Sequence, residues 1–417
     1  MKPSILFYSD CLFFAGCENM LANFFNSKEF LESYNVSFIY RYTAEYENGL
    51  NKRVPASIEK IPVHIYDHFD LYNLADSIRW KICHKPLKII LNFLLIKYVY
   101  FFINIINLRK IVRKTKIDIL HVNNGGYPGS YSAIAMVFAA KLCGIRKIVF
   151  VVNNIALGYQ SPERWLDYLI DRVVIKRVAV FVTGSQYAAH QLNKKLGVPQ
   201  SKITCIHNGI TGRVITETRE QVIQRLGIPK NCLFFSVIAI LDERKGHMYL
   251  FRALKLFKDT YGTKEMPFCI IEGTGKDEKK LKHFVKEQEL ENNVLFTPHE
   301  LQIFNLMNAS DFIILPSVKN EDFPNIILES MSLCKPIIAS NFSGIPEQIE
   351  HMKSGILVKP RDVSGLMDAI KIIVDNKDLR ITLGKNAKLR FDTLFTDKIA
   401  IKCYGELYKQ LIEERPL

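Results

Sequence analysis

The stretch 311–340, DFIILPSVKNEDFPNIILESMSLCKPIIAS, decides the fold because it contains a complete strand–helix–strand unit. Its two ends, 311–315 and 336–340, are short and continuously apolar, which is typical of parallel strands covered by helices on both faces. Pro324 is excluded from the interior of a helix but can begin one, so the residues between the two strands predict a helix over 325–333. The stretch therefore predicts a βαβ unit, the building block of open α/β sheets.

The same alternation extends along the whole chain of 417 residues, which is longer than one hydrophobic core usually serves. We expect two doubly wound, Rossmann-like domains that face a central cleft, at 1–207 and 208–395. The final helix, 396–413 within 396–417, either stays with its own domain or returns to the first. Strands are predicted at 4–8, 36–40, 117–122, 147–152, 178–183 and 202–206, and then at 232–240, 267–271, 293–297, 311–315, 336–340 and 355–358. Further helices are predicted at 130–143, 162–176, 246–258 and 276–290.

Composition narrows the class of protein. About half of the residues are apolar (48%) and 24% are charged, as in ordinary globular proteins, but the net charge is +14. Such a surplus indicates an anionic partner, which can be a nucleic acid, an anionic membrane surface or a phosphorylated substrate. The nine cysteines are scattered and form no CxxC pair, which argues against a disulfide framework and a zinc site and favours a reducing cytoplasm. We find no signature of nucleic-acid binding.

Two glutamates of the opening stretch, Glu321 and Glu329, are eight residues apart. The first lies on the loop after a strand and the second on the helix that follows. The amides of Asn325, Ile326 and Ile327 are expected to be free donors at the start of that helix, where a phosphate can bind. A polar cap followed by an exposed helix face is the alternative. A hydrolytic carboxylate pair is disfavoured, since eight helical residues span about 12 Å and such pairs need about 5 to 9.5 Å.

The glutamates belong to a longer pattern. The sequence E-x-F-P-x-x-x-x-E, followed by KPIIAS, resembles the E-x7-E signature of retaining glycosyltransferase family 4, whose members have the GT-B fold. Six further segments resemble elements of that family in the same order along the chain. They are FAGCE (14–18), HNGI (207–210), ERKGH (243–247), IIEGTGK (270–276), SGIPEQI (343–349) and SGILVKPRD (354–362).

The resemblance implies roles for particular residues. Lys245 would neutralise the departing diphosphate, Glu321 would hold the transferred sugar, and Glu329 would hold the ribose. Gly16 would let the backbone approach the phosphates, where a side chain would obstruct them. The positions implied to surround the donor are Gly16, Arg244, Lys245, Gly273, Glu321, Phe323, Pro324, Asn325, Ile326 and Glu329.

The chain also departs from the family pattern. Ile240 stands where the family usually has an arginine, and Arg244 is a candidate for the missing charge. Ala15 replaces the first glycine of the loop after the first strand, and Asn153 stands at the position of the customary histidine.

A histidine stands one strand earlier, at His121. We predict that His121, together with Asn123 and Asn153, lies near the reacting sugar, with His121 as a candidate general base and Glu18 on the acceptor side. A structural role for His121 at a strand end is the alternative.

The segment 79–116 contains ten Lys or Arg residues and no Asp or Glu. It includes LKIILNFLLIKYVYFFINII (87–106), and the lysines and asparagines scattered through it argue against a membrane span. A helix that is apolar on much of its surface and ringed by lysine suits an anionic membrane interface. The alternative, compatible with the first, is a helix buried in the first domain.

Together these observations predict a cytoplasmic glycosyltransferase of hexosyltransferase type, peripheral on the inner face of the membrane. A UDP-sugar is the favoured donor and a glycan or lipid-linked molecule the acceptor, with no metal and no nucleic acid. Retention and a place in surface polysaccharide or lipopolysaccharide synthesis are implied by the resemblance. Two other classes stay open: a nucleotide-sugar epimerase of the same fold, and a non-catalytic membrane-binding protein.

Overall fold

The computed structural model describes residues 2–14, 16–67, 70, 96–212, 214–297 and 302–413. Contacts between residues divide the chain into two compact units. The first unit comprises Met1–Gly184, Ala188–Ile206 and Ile401–Leu417, and the second comprises Ser185–Tyr187 and His207–Ala400. The division after Ile206 lies one residue from the boundary expected from the sequence.

The first unit contains a parallel sheet of seven strands in the order β3-β2-β1-β4-β5-β6-β7. The strands are β1 (Ser4–Ser9), β2 (Asn35–Arg41), β3 (Glu59–Val63), β4 (Ile119–Asn124), β5 (Ile148–Val152), β6 (Val180–Thr183) and β7 (Ile203–Cys205). The helices before and between them are α1 (Gly16–Asn26), α2 (Lys28–Ser33), α3 (Ala44–Arg53), α4 (Ile96–Val112), α5 (Tyr131–Leu142), α6 (Pro162–Leu166), α7 (Tyr168–Arg177) and α8 (Gln186–Leu196).

Alternate residues of each strand point to opposite faces of this sheet. In β1, Leu6 and Tyr8 belong to one apolar cluster and Ile5 and Phe7 to another, so both faces are covered. This burial explains why the strands read as continuous apolar runs in the sequence.

The second unit contains a parallel sheet of six strands in the order β10-β9-β8-β11-β12-β13. The strands are β8 (Phe234–Ile238), β9 (Phe268–Glu272), β10 (Val294–Thr297), β11 (Phe312–Leu315), β12 (Ile337–Ser340) and β13 (Ile356–Val358). The helices are α9 (Arg219–Leu226), α10 (His247–Tyr261), α11 (Glu278–Glu287), α12 (Ile303–Ala309), α13 (Asn325–Ser332), α14 (Ile345–Gln348), α15 (Val363–Asp375) and α16 (Lys377–Leu394). The last helix, α17 (Asp397–Glu413), begins in this unit and belongs to the first unit from Ile401 onward.

The predicted fold class, two doubly wound parallel sheets, is confirmed, and each predicted strand is present within two residues of its expected bounds. The edge strand β3, EKIPV, was not predicted, and only one of its residues is fully buried. Pro62 donates no ladder hydrogen bond and is tolerated at an edge. The helix predicted at 162–176 is two helices that meet at Asp167.

The sequence left open where the final helix packs and whether the basic segment 79–116 is buried. The later turns of α17 pack in the first unit, where Tyr404 and Tyr408 contact the rings of Phe24 and Phe30. The basic apolar segment 79–116 is described only from Ile96 onward, where it forms α4; its earlier residues lie outside the described ranges. No helix in the described part of the chain has the length and apolar character needed to span a membrane.

In each sheet the strand order reverses beside the first strand of the unit. The reversal lies between β1 and β4 in the first sheet and between β8 and β11 in the second. Ligands of open α/β sheets bind outside the carboxyl ends of the strands at such a point. The residues that follow β1, β4, β8 and β11 are therefore the expected location of a ligand site.

Candidate functional site

In the second unit, the chain leaves β8 and makes a short 3-10 turn, Glu243–Lys245, before α10 begins. The Asp242 side chain caps this turn by accepting a hydrogen bond from the Arg244 amide at 3.0 Å. Gly246 follows with φ of 76°, and a Cβ built there would lie 1.9 Å from the carbonyl oxygen of Pro316. Only glycine fits at this position, because the turn lies directly against the loop after β11.

That loop carries Glu321, whose residue surface is 7% exposed. Its Oε1 atom contacts Lys245 Nζ, lies 3.3 Å from Arg244 Nη1, and accepts a hydrogen bond from Ser317 Oγ at 3.2 Å. A single carboxylate thus faces two cations at the point where the strand order of the second sheet reverses. The structure brings together Lys245, Arg244 and Glu321, three of the four charged residues that were predicted to surround the donor.

The next part of the signature begins α13. Pro324 is the N-cap residue, with extended backbone, and the helix starts at Asn325 as predicted. The Ile327 amide donates to the Pro324 carbonyl oxygen at 3.2 Å, so the expectation of three free amides is wrong for Ile327. Glu329 is partly exposed and stands four residues after Asn325, on the same helix face.

Phe323 has a packing role. Its ring stacks on His207 with centroids 4.8 Å apart and an angle of 7°, and lies 5.6 Å from the ring of Phe395. Its residue surface is 4% exposed, and the ring anchors the signature loop. The role of Phe323 in binding the donor stays a prediction. Asn208 Nδ2 donates to Phe323 O at 3.4 Å and to Asn325 Oδ1 at 3.3 Å. The sequence analysis gave His207 and Asn208 no role, although both lie in the quoted HNGI segment.

Position 273 requires a glycine. Its φ is 135°, and a Cβ would lie 2.2 Å from the carbonyl oxygen of Ala239. The requirement thus comes from close packing of the loops after β8 and β9. Ile240, at the position where an arginine was expected, is 51% exposed.

The sequence analysis missed Asp322, which is 3% exposed beside Glu321. Its Oδ1 atom contacts Ser185 Oγ, and its Oδ2 atom has no hydrogen-bond partner among the described residues. Burial raises the pKa of Asp322 to about 7, and the nearby Glu347 and Glu321 add to the shift. Its place next to Glu321 in the signature was the available signal.

In the first unit, a second polar cluster lies at the carboxyl ends of β1, β4 and β5. Glu18 is fully buried, and its Oε1 atom accepts from Ser9 Oγ at 2.6 Å and from Asn123 Nδ2 at 3.4 Å. Asn153 Nδ2 in turn donates to Asn123 Oδ1 at 2.7 Å. The structure thus joins Glu18, Asn123 and Asn153, and adds Ser9, which the sequence analysis did not select. Gly16 is exposed at the first position of α1.

His121 does not belong to this cluster. It is 1% exposed in the middle of β4, with its ring against Phe7 at 4.7 Å and its Nδ1 atom 2.6 Å from Tyr408 Oη. Burial lowers the pKa of His121 to about 3. The structure contradicts the prediction that His121 acts near the reacting sugar, because its side chain is enclosed in the core of the first unit. The alternative interpretation, a structural role for His121, explains its position.

Another charged group at the same edge was also missed. Arg41 Nη1 lies 3.3 Å from Asp10 Oδ1 and 2.5 Å from Asp67 Oδ2, while Asp10 Oδ2 contacts the hydroxyls of Ser130 and Ser132. Asp10 directly follows β1 and Arg41 ends β2, so position after a strand was the usable signal.

Comparison with known proteins agrees with this arrangement. Residues 218–390 match the family model described as glycosyl transferases group 1, and residues 59–211 match the model described as glycosyltransferase family 4. The two matches are consecutive and extend over most of the chain between 59 and 390.

Two curated relatives align over most of their length. One is the UDP-Gal:alpha-D-GlcNAc-diphosphoundecaprenol alpha-1,3-galactosyltransferase of Escherichia coli, 25% identical over 74% of this chain and 79% of the relative. The other is the N-acetyl-alpha-D-glucosaminyl L-malate synthase of Bacillus anthracis, 25% identical over 73% of this chain and 78% of the relative.

Solved structures share the fold. A glycosyltransferase of Rickettsia africae superposes with a TM-score of 0.76 at 18% identity, covering 99% of this chain and 100% of that one. Anabaena HepE, solved in complex with UDP and glucose, superposes with a TM-score of 0.73 at 18% identity, covering 97% and 99%. The two consecutive family matches place the chain among the GT4-type glycosyltransferases, and the shared architecture shows that it has the GT-B fold.

Proposed function

We propose that this glycosyltransferase moves a sugar from a UDP-sugar to a glycan or lipid-linked acceptor in the synthesis of a surface polysaccharide or lipopolysaccharide. The observation that carries the proposal is the pairing of Lys245 and Arg244 with the buried carboxylate of Glu321. The three residues lie at the point where the strand order of the second sheet reverses.

The charges favour a diphosphate. A donor that enters this site competes with Glu321 for Lys245 and Arg244, and it carries more negative charge than one carboxylate. As the bond between the sugar and the diphosphate breaks, the electron pair stays on the nucleotide. Fixed cations are most effective against such growing charge, and one such donor is typically worth about 3 to 4 kcal/mol of barrier.

The residues around this pair have distinct proposed roles. Glu321, released from Lys245 by the diphosphate, would accept hydrogen bonds from the transferred sugar. Asn325 and Ile326 lie in the first turn of α13, where a phosphate is favoured by the helix dipole. Glu329, one turn further, would hold the ribose hydroxyls.

UDP is favoured as the nucleotide by the comparisons. The E. coli relative is named for a UDP-galactose donor, and HepE was solved with UDP and with UDP-glucose. The identity of the sugar is left open by these proteins, since their names include both galactose and glucose.

The acceptor is proposed to meet the polar cluster of the first unit. Its hydroxyl and amide groups belong to Ser9 and Asn123, which donate to Glu18, and to Asn153, which donates to Asn123. Such groups suit neutral sugar hydroxyls. The E. coli relative is named for a diphosphoundecaprenol-linked sugar acceptor, which is our reason for favouring a lipid-linked glycan.

Retention of the anomeric configuration and independence of metal are further parts of the proposal, both carried over from the resemblance to family 4. Lys245 and Arg244 would offset the leaving charge that a metal offsets in other enzymes. We expect turnover to persist in EDTA and the product to keep the donor's anomeric configuration in NMR spectra; inactivation by EDTA that added Mg²⁺ reverses would contradict the first point.

Thermal unfolding with UDP, GDP and their sugar conjugates tests the donor site. A nucleotide at about 100 times its dissociation constant should stabilise the protein by roughly 2.7 kcal/mol. We expect a shift with UDP that is lost in Lys245→Ala and kept in Lys230→Ala, which removes an exposed lysine of the same unit. The absence of a shift with every nucleotide would contradict the proposal.

The epimerase alternative is distinguished by the acceptor requirement. An epimerase converts a UDP-sugar when no acceptor is present, whereas a transferase releases UDP quickly only with one. Conversion of UDP-glucose or UDP-N-acetylglucosamine to another UDP-sugar in the absence of acceptor would favour the epimerase.

A further inference from the structure

Helix α4, Ile96–Val112, is apolar on two faces. One face packs into the core of the first unit through four large side chains. These side chains are Phe101, Ile105, Leu108 and Val112. The other face carries Val99, Phe102 and Ile106, which are 54%, 62% and 56% exposed.

The exposed side chains form one stripe. Val99, Phe102 and Ile106 are spaced by three and four residues, so they lie one above another on the helix surface. A scattered exposed apolar residue needs no explanation, but an aligned set on a helix that already has a buried face indicates a surface that contacts something apolar.

The same helix face continues into a basic region. Arg109 and Lys110 lie in the last turn and Arg113 just after it, and all three are exposed. Basic residues near a helix C-terminus are favoured by the helix dipole, which accounts for the first two. The dipole does not account for the charges beyond the helix end, where Arg113, Lys114 and Lys116 follow without an acidic residue.

Two of these basic residues line a groove. It has a volume of about 400 Å³ and is lined by Arg109 and Arg113 from the α4 end and by Leu142 from the end of α5. Leu142 is itself 53% exposed, so an apolar side chain stands beside two guanidinium groups. Guanidinium groups bind phosphate oxygens with paired hydrogen bonds.

We propose that this face of the first unit docks on an anionic lipid bilayer. The stripe of Val99, Phe102 and Ile106 enters the boundary between headgroups and acyl chains, and the groove at Arg109 and Arg113 receives lipid phosphate. The inference deepens the proposed function, on which it rests for its purpose, since a lipid-linked acceptor lies in a bilayer.

The net charge of the protein favours an anionic bilayer, rather than a second copy of the chain, as the partner of this face. The protein carries +14, so two copies repel one another while an anionic leaflet attracts each. Each basic residue near such a leaflet contributes about a fivefold gain in binding. An amphipathic helix that lies in the plane of the interface, with basic residues beside an apolar stripe, is the arrangement that lipid binding requires.

The position of α4 in the fold also suits this role. The helix ends shortly before β4 begins, so its last turn lies near the amino edge of the first sheet. At its other end, Tyr98 Oη donates to Asp167 Oδ1 at 2.9 Å, where α6 meets α7. The helix therefore runs along the sheet, from the carboxyl edge that carries Glu18 and Asn123 to the amino edge near the groove.

Co-sedimentation of the full chain with vesicles tests the proposal. We expect binding to vesicles of phosphatidylglycerol and phosphatidylcholine, weakening as salt is raised, and little binding to phosphatidylcholine alone. The triple variant Val99→Gln/Phe102→Gln/Ile106→Gln should bind at least about 100-fold more weakly, since it removes three apolar side chains from the interface. The variant Arg109→Gln/Arg113→Gln should bind about 25-fold more weakly.

Matched controls come from α16 in the second unit. Ile381→Gln/Leu389→Gln/Leu394→Gln changes three exposed apolar residues, and Lys377→Gln/Lys385→Gln removes two exposed charges. Both should bind vesicles as the unmodified chain does. All variants should keep the UDP-induced thermal shift, which reports the donor site separately from the docking face.

Three outcomes overturn the proposal. They are no binding to anionic vesicles at low salt, equal loss in the α16 controls, and a dimer in solution that the stripe variant dissociates, because that dimer would mean that a second copy covers the face. If vesicle binding fails while the UDP shift remains, the docking inference alone is wrong. If the UDP shift is absent from the unmodified chain, the proposed donor site is wrong.

Discussion

Two buried glutamates, Glu18 and Glu321, occupy matching places in the two units and have opposite surroundings. Each lies at the carboxyl edge of its parallel sheet, next to the point where strand order reverses. Glu321 faces Lys245 and Arg244, whereas Glu18 accepts hydrogen bonds from Ser9 and Asn123. The fold thus supplies the same location twice, and the neighbouring side chains decide which ligand it suits.

The difference has a physical consequence. A carboxylate balanced by two cations forms a site whose charges can be redistributed when a diphosphate enters. A carboxylate that accepts hydrogen bonds from a hydroxyl and an amide group fixes the geometry of those groups. We therefore connect the second unit with the charged leaving group and the first with a neutral acceptor.

The largest effect should come from Lys245→Ala, which removes one cation of the charged cluster. We expect turnover to fall by about 10² to 10³-fold, because a fixed donor to the developing charge is lost, and the UDP-induced thermal shift to disappear. Steady-state kinetics and thermal unfolding measure the two effects. Lys230→Ala is the control, and near-normal turnover in Lys245→Ala would break the comparison between the two glutamates.

Glu321→Gln should separate binding from chemistry. The substitution keeps the shape of the side chain but releases Lys245 and Arg244 from their carboxylate partner, so UDP should bind at least as tightly as before. Turnover should still fall by about 10²-fold, since a group proposed to hold the sugar in the transition state is weakened. Calorimetric titration with UDP and single-turnover rates give the two numbers. Weaker UDP binding together with unchanged turnover would reverse the roles assigned to this cluster.

Much of the charged cluster around Glu321 could be predicted from the sequence, because its residues belong to short local patterns. Lys245 lies in a turn between a strand and a helix, and Glu321 lies in the loop before Pro324, so their elements and their edge of the sheet follow from chain order. The pairing of Lys245 with Glu321 joins residues 76 positions apart and needed the strand order that places β8 beside β11.

The sequence is less informative where burial decides the role. His121 and Asn123 are two residues apart on one strand and therefore point to the same side, yet His121 is enclosed by aromatic rings and Asn123 lies at the strand end. Phe323 looks like a loop residue beside a ligand, but His207 and Phe395 from distant positions cover its ring. These facts depend on packing partners that local patterns do not identify.

Glu18→Gln should have a smaller and different effect. Glutamine keeps an oxygen that accepts from Ser9, but its amide group is a donor that faces the Asn123 amide. We expect the KM for the acceptor to rise about tenfold, the loss of roughly one net hydrogen bond, while the UDP-induced thermal shift stays unchanged. Acceptor titrations at saturating donor measure it. A lost UDP shift in this variant would contradict the separation of donor and acceptor roles.

The smallest effect on turnover should come from His121→Gln, although the residue was the sequence-based candidate for a base. Turnover per folded molecule should stay within about twofold of normal, because no reacting group is removed. Stability at pH 7 should fall by about 1 to 3 kcal/mol, since the ring packs in the core and bonds Tyr408. A loss of turnover with stability intact would restore the catalytic role.

The pH dependence of the stability of His121→Gln is a second test of the burial of His121. Burial holds the pKa of His121 at about 3 in the folded protein, below the value of about 6.5 for an exposed histidine. The unfolded chain therefore binds the proton first, and His121 destabilises the fold progressively as the pH drops from about 6.5 towards 3, by about 1.4 kcal/mol per pH unit. Glutamine does not titrate, so the stability deficit of His121→Gln should shrink at that rate below pH 6.5. Urea unfolding at pH 7 and pH 5, with the exposed His351→Gln as control, measures the difference. A deficit that stays constant between these pH values would mean that His121 is solvated, and the distinction between the enclosed histidine and the polar cluster at the strand ends would no longer hold.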